Sequence, residues 1–332
     1  MSSEFIAKLT ARAVQNPKTI IFPESASEKV LQASERLLKA GIARPILVGK
    51  KAAIEARAAE LKVSTKGFDY VDNEDEAVLA FLVPAFLAVN QDFSEKALNR
   101  KFRNPLNFAA AWVKLGRADC LAAGIDCSTG DVVLASQLFI GLQDGISTVS
   151  SFGVVEAPGF ETSEGNLFAI ADCAVCQNPT ASELSDIACT TADTMKSLLG
   201  WEPRAALVCF STDGSGQHEI TDKVKEGVRL ANERRPDLAI DGEFQIDTAL
   251  KPAVAAKKVK RPSKVAGRAN IIVFPDLNAG NIGVKLIQMF GGALAHGPLL
   301  QGFARPVTDF SRSAPIDEIV GNLTILVVRA GE

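Results

Sequence analysis

Short apolar runs alternate with longer amphipathic stretches along most of this chain. Thr19–Phe22, Pro45–Val48, Cys120–Ala123, Ala205–Phe210, Ile271–Phe274 and Leu323–Val328 predict buried strands. A strand covered on both faces loses its alternation and reads as a continuous apolar block. Several of the runs are bounded by Gly, Pro or charge, which punctuate strands. Helices are predicted between them. The clearest starts at Thr180, which forms a T-x-x-E capping box with Glu183, so that each side chain satisfies an orphan amide of the first turn. Leu184, Ile187, Ala188, Met195, Leu198 and Leu199 follow at helical spacing on one face, and Gly200 stops the helix. Ala77–Val89 is thirteen residues long with Pro84 inside it. It is too short to cross a bilayer and predicts a buried helix. Strand–helix alternation implies an α/β fold with mainly parallel sheets. A chain of 332 residues exceeds what one core usually serves, so two domains are predicted.

Composition narrows the partners. The net charge is −3, with 36 Lys and Arg against 39 Asp and Glu. That balance argues against a nucleic-acid or anionic-membrane surface. One basic segment, Lys257 to Lys264, reads either as a solvated loop or as an anchor for the phosphates of a nucleotide cofactor. The amino-terminal residues carry an early acid and no continuous apolar core, so no secretory signal is predicted and a cytoplasmic location is expected. Six cysteines in a chain of this length do not make a disulfide scaffold. Cys173 and Cys176 form a lone C-x-x-C, and the histidines are His218 and His296. Two small buried thiols are the favoured reading over a metal site.

In α/β sheets ligands bind beyond the carboxyl ends of strands or between domains. That directs attention to four polar loops after strands: Phe22–Ser25, Cys127–Asp131, Ser211–Gly216 and Phe274–Asn281. Ser128, Thr129 and Gly130 offer hydroxyls and amides at a helix start, suited to a phosphate or to an ordinary turn. Ser211 and Thr212 present the same alternatives. Asn278, Gly280 and Asn281 read as a tight loop that either contacts a ligand or pins its own backbone. Ser311 and Arg312 could form an anion pocket, with Glu318 six residues beyond Arg312 as a base; a surface ion pair is the commoner reason for such spacing.

Taken together these segments resemble the phosphate acetyltransferase (phosphotransacetylase) and phosphate butyryltransferase family, over essentially the whole chain. The resemblance is carried in order by Phe22–Glu24, Pro45–Gly49, Lys114–Asp119, Ala171–Val175, Asn178–Thr180, Ser211–Gly216, Ile240–Gln245, Val265–Gly267, Phe274–Ile282, Gly297–Pro298, Gln301–Gly302 and Asp309–Arg312. It implies reversible transfer of an acetyl or short acyl group between coenzyme A and inorganic phosphate. It also implies two α/β domains, residues 1–145 with 306–332 and residues 146–305, with the active site in the cleft between them. The second would form a homodimer. CoA, acyl phosphate and phosphate would be substrates, with no permanently bound cofactor and no metal. Ser311 and Arg312 would line the reaction centre, and Glu318 would occupy the place of a catalytic Asp. Ser128, Thr129, Gly130, Ser211, Thr212, Asn278, Gly280, Asn281 and Gln301 would bind substrate or cofactor.

Some positions depart from the family pattern. Glu318 is one methylene longer than the Asp it replaces. Lys29, Ala88, Leu134 and Met289 stand where the family places arginines, and Ser313 where it places Gly. Arg117, Lys285 and Arg305 are candidates to supply the missing charge. These departures motivate a second reading: a catalytically impaired paralogue that senses acyl-CoA or binds a protein partner. A third is a different acyl or anionic substrate on the same fold.

Overall fold

The computed structural model describes residues 3–332. Eleven strands occur among these residues: β1 Lys18–Phe22, β2 Ala43–Val48, β3 Asp69–Val71, β4 Cys120–Ala123, β5 Ser150–Glu156, β6 Leu167–Ala171, β7 Arg204–Val208, β8 Ala239–Phe244, β9 Ile271–Val273, β10 Leu294–Gln301 and β11 Val307–Asp309. The chain divides into two compact units, residues 1–143 with 303–332 and residues 144–302.

The first unit holds a five-stranded sheet in the order β11-β4-β1-β2-β3, parallel throughout. Its central strands are apolar because both faces are covered; Ile20, Ile21, Phe22, Cys120 and Leu121 are fully buried. The chain runs outward from β1 through β2 to β3, then returns to β4 on the other side of β1. The direction of winding reverses between β1 and β4, and in such sheets the crevice beyond that point is where ligands bind.

One predicted strand is a helix. Leu323–Val328 lies inside the helix Ile316–Arg329, whose residues Ile319, Leu323, Ile325, Leu326, Val327 and Val328 are all buried. This helix packs on β1, β4 and β11 and against the helices Glu4–Gln15 and Glu28–Lys39. A helix enclosed on nearly every side carries no 3.6-residue stripe, so its apolar run imitates a strand. The expected buried helix at Ala77–Val89 is the helix Glu76–Leu87, which buries Leu79, Leu82, Val83 and Phe86 but exposes Phe81, with Val89 exposed just beyond its end.

The second unit holds a six-stranded sheet in the order β10-β5-β6-β9-β7-β8. Strands β6, β9, β7 and β8 are parallel; β5 and β10 add an antiparallel edge. The helix Ala181–Leu199 begins with the Thr180–Glu183 capping box and ends at left-handed Gly200. Asn278–Asn281, expected as a loop, forms the first turn of the helix Leu277–Gly291, capped by Asp276. Among the described residues no helix is long and apolar enough to cross a membrane.

Candidate active site

The crevice at the carboxyl ends of β1, β4 and β11 is built around two carboxyl groups. Glu24 follows β1 by two residues and is 8% exposed. Its Oε1 accepts from the main-chain N–H groups of Gly124, Asp126 and Cys127 at 3.2, 2.8 and 2.7 Å, and its Oε2 from Ile125 at 2.9 Å. Four donors offset the removal of this group from water, and they set the course of the loop from β4 into the next helix.

That helix, Thr129–Phe139, is capped by Ser128, whose side chain accepts from the Asp131 N–H while Asp131 accepts from the Ser128 N–H. Thr129 donates its hydroxyl to Asp309 Oδ2 at 2.5 Å. Asp309 ends β11, paired with Ala123 of β4. Its Oδ1 is buried without a hydrogen-bond partner. Burial raises the Asp309 pKa to about 6, Glu24 pushes in the same direction, and the Thr129 hydroxyl opposes both. Gly124 makes this packing possible. It has φ of +110°, and a Cβ there would sit 2.0 Å from Asp309 Oδ1 and 2.7 Å from the Phe310 nitrogen.

Beyond Asp309 the chain turns out of the sheet. The Phe310 N–H donates to Ala123 O at 2.9 Å and the Ala314 N–H to Ser311 O at 3.0 Å. Ser311, Arg312 and Ser313 are exposed, with the two serine hydroxyls 2.9 Å apart. Lys29 donates from Nζ to the main-chain oxygens of Arg312 and Ala314, each at 2.7 Å. The helix Ile316–Arg329 then starts with Asp317 and Glu318 in its first turn. Asp317 pairs with Arg36 at 2.5 Å. Glu318 lies exposed on the same turn. The segment thus presents a guanidinium, hydroxyls and a carboxyl from one short stretch at the ends of neighbouring strands.

The structure therefore brings Ser128, Thr129, Gly130, Ser311, Arg312 and Glu318 into one unit, with the Thr129–Asp309 bond joining the two loops that carry them. The other candidates lie in the second unit and are mostly turned inward. Ser211 is fully buried and donates to Glu243 at 2.8 Å. Thr212 accepts from the Gln245 N–H at 2.8 Å. Gln301 donates to Ser150 and Thr191 at 3.0 and 2.8 Å and is 1% exposed. These side chains hold loops and strands together. Gly280 is buried, and a Cβ there would meet Asp172 O at 2.2 Å, so only glycine fits. Asn281 reaches Cys173 O at 3.3 Å, and Asn278 is exposed.

Two of the substitute cations lie away from this end of the first sheet. Arg117 and Arg305 precede β4 and β11, at the opposite end of the sheet from the crevice, and Arg117 lies over the Phe81 ring at 4.8 Å. Lys285 is exposed in the second unit. Within the basic segment, Lys258 pairs with Asp247 and Arg261 with Asp213 and Asp241, so these two cations serve the fold. Of the positions that depart from the family pattern, Leu134 and Met289 are strongly exposed and Ala88 is the exposed end of its helix. All six cysteines are free; burial raises the pKa of Cys173 and Cys176, and Asp172 adds to it.

Sequence reasoning did not assign Glu24 or Asp309 to the site, and it placed Lys29 there only as the stand-in for a family arginine. The signal for the two acids was present: Glu24 stands two residues after β1 and Asp309 ends β11, each in a segment that carries the family resemblance.

The phosphate acetyl/butaryl transferase family model matches residues 4–328. A phosphate acetyltransferase of Clostridium acetobutylicum is 39% identical over 329 residues, covering 98% of each chain. One of Bacillus subtilis is 36% identical over 312 residues, covering 94% of each. A phosphotransacetylase structure from Streptococcus pyogenes superposes with a TM-score of 0.90 at 34% identity, covering 99% of each chain. Agreement over nearly the whole chain with phosphate acetyltransferases and with a phosphotransacetylase structure makes this an acyltransferase of the phosphate-dependent class. The chain belongs to the phosphate acetyl/butyryl transferase family.

Proposed function

We propose that this protein transfers an acetyl group reversibly between coenzyme A and inorganic phosphate, and that Ser311, Arg312 and Glu318 carry the reaction. The observation that supports it most is Arg312. Its guanidinium is exposed and has no hydrogen bond or ion pair among the described residues, while its main chain is held by Lys29. A planar donor fork held ready in this way suits a phosphoryl or carboxylate oxygen.

In the direction of acetyl-CoA formation, Glu318 takes the proton of the CoA thiol, which is mostly protonated at neutral pH. The thiolate sulfur attacks the carbonyl carbon of acetyl phosphate. A C–S bond forms and the C–O bond to phosphorus breaks, with phosphate leaving with the electron pair. Arg312 offsets the charge that grows on the carbonyl and leaving oxygens, and Ser311 adds a hydroxyl donor. The reverse reaction uses the same groups in reverse order.

The acyl group is tested by thiol loss from CoA with acetyl, propionyl and butyryl phosphate. Acetyl phosphate is expected to give the highest kcat/KM; no turnover with any of the three would reject the reading. A homodimer belongs to the same proposal. The helix Leu277–Gly291 buries only Gly280, and Ile282, Leu286, Met289 and Phe290 form an exposed stripe continued by Leu294. A second copy laid on this stripe would cover it. A cytoplasmic, reducing location is supported by the six free thiols.

A further inference from the structure

We propose that Asp309 is a positioning residue for the acyl-transfer reaction: through Thr129 it holds the Ser311–Arg312 turn in register with the amino end of the helix Thr129–Phe139. The proposal rests on the reading of Ser311 and Arg312 given above. Asp309 is the last residue of β11, two positions before Ser311. Thr129 is the first residue of its helix and follows the cap, Ser128. The bond from Thr129 Oγ1 to Asp309 Oδ2 therefore joins the strand end that bears the arginine to the helix end that bears the hydroxyls.

The setting of this carboxyl is unfavourable for stability alone. Its Oδ1 is enclosed without a donor, Gly124 is packed so closely that no side chain fits between them, and Glu24 lies near enough to disfavour its anion. A buried acceptor left without a partner destabilises a fold. Strain of this kind persists where it fixes geometry that function needs. One oxygen is bonded and the other enclosed, so Asp309 acts through the turn it anchors and not on substrate. A shift of about an ångström in such a turn is enough to lower a rate by one to two orders of magnitude.

The test is thiol loss from CoA with saturating acetyl phosphate in Thr129→Val, Asp309→Ala, the double variant and Thr129→Ser. Thr129→Val and Asp309→Ala should each lower kcat by about tenfold. The double variant should be no slower than the slower single one, because both remove the same bond. Thr129→Ser, which keeps the hydroxyl, should restore most of the rate, a rescue that a purely packing role for Thr129 does not predict. Losses that multiply in the double variant would overturn the proposal. If Asp309→Ala does not fold, equal rates for Thr129→Val and Thr129→Ser would overturn it. Arg312→Gln separates the two levels. Lost turnover in Arg312→Gln with multiplying losses at 129 and 309 refutes the latch alone; unchanged turnover in Arg312→Gln refutes the site reading and the latch with it.

Discussion

Lys29 donates from Nζ to the main-chain oxygen of Arg312 at 2.7 Å and, with the same ammonium, to that of Ala314 at 2.7 Å. A lysine standing where relatives are expected to place an arginine is thus tied to the backbone of the turn that presents Arg312. Lys29→Met should release this turn. We predict a fall in kcat of about tenfold with a small change in Tm, since charge-assisted bonds of a half-exposed ammonium are weakened by water. Steady-state kinetics beside a thermal melt checks it.

The acidity of Asp309 predicts a pH-dependent stability. Its carboxyl titrates at about 6 in the fold against an ordinary 3.8, which disfavours the anion by on the order of 3 kcal/mol. Because the folded pKa is raised, the stabilising contribution is complete below about 4 and is lost as pH rises through 6. Asp309→Asn removes this titration. Relative to wild type, its Tm should rise between pH 4 and pH 7 and level off above that. A constant Tm difference across that window would contradict the assignment.

Glu24 accepts four main-chain donors from the loop between β4 and the helix Thr129–Phe139. Glu24→Gln keeps the shape but turns an NH2 group toward some of these N–H groups. The loss should be about 2–4 kcal/mol. Hydrogen exchange should report it locally, with faster exchange at Gly124, Ile125, Asp126 and Cys127 and little change in the second unit.

Phe290 is 82% and Met289 76% exposed on the helix Leu277–Gly291. If a second copy covers this face, Phe290→Asp should yield monomers in sedimentation experiments at concentrations where wild type is dimeric. A buried, unpaired charge at an interface costs several kcal/mol. An unchanged sedimentation coefficient would place the contact elsewhere.

Much of this architecture was readable from residue pattern. The strands β1, β2, β4, β7 and β9 are short apolar blocks, and the Thr180–Glu183 box with Gly200 marks both ends of its helix. The helix Ile316–Arg329 was not readable from periodicity, because it is buried on nearly all sides. Its end signals were available, with acids in the first turn and Arg329 in the last. Ser311, Arg312 and Glu318, proposed here as the reacting residues, lie on one segment that the family resemblance marks; their spacing alone reads more readily as a surface ion pair. The inward turn of Ser211, Thr212 and Gln301 could not be read from sequence, because a hydroxyl or amide after a strand serves a ligand and a buried carboxyl equally well. Glu243 takes the Ser211 hydroxyl, a pairing across thirty-two positions that only the fold reveals. The Thr129–Asp309 bond spans 180 positions and was hidden for the same reason.

Glu318 bears most directly on the chemistry proposed here. Thiol loss from CoA with acetyl phosphate should be measured for wild type and for Glu318→Gln, each with a melting curve. Wild type should turn over, and Glu318→Gln should be slower by 10² to 10⁴, on the order expected for loss of a general base, with an unaltered melt. Equal rates for the two proteins would contradict the assignment of the proton acceptor and, with it, the mechanism.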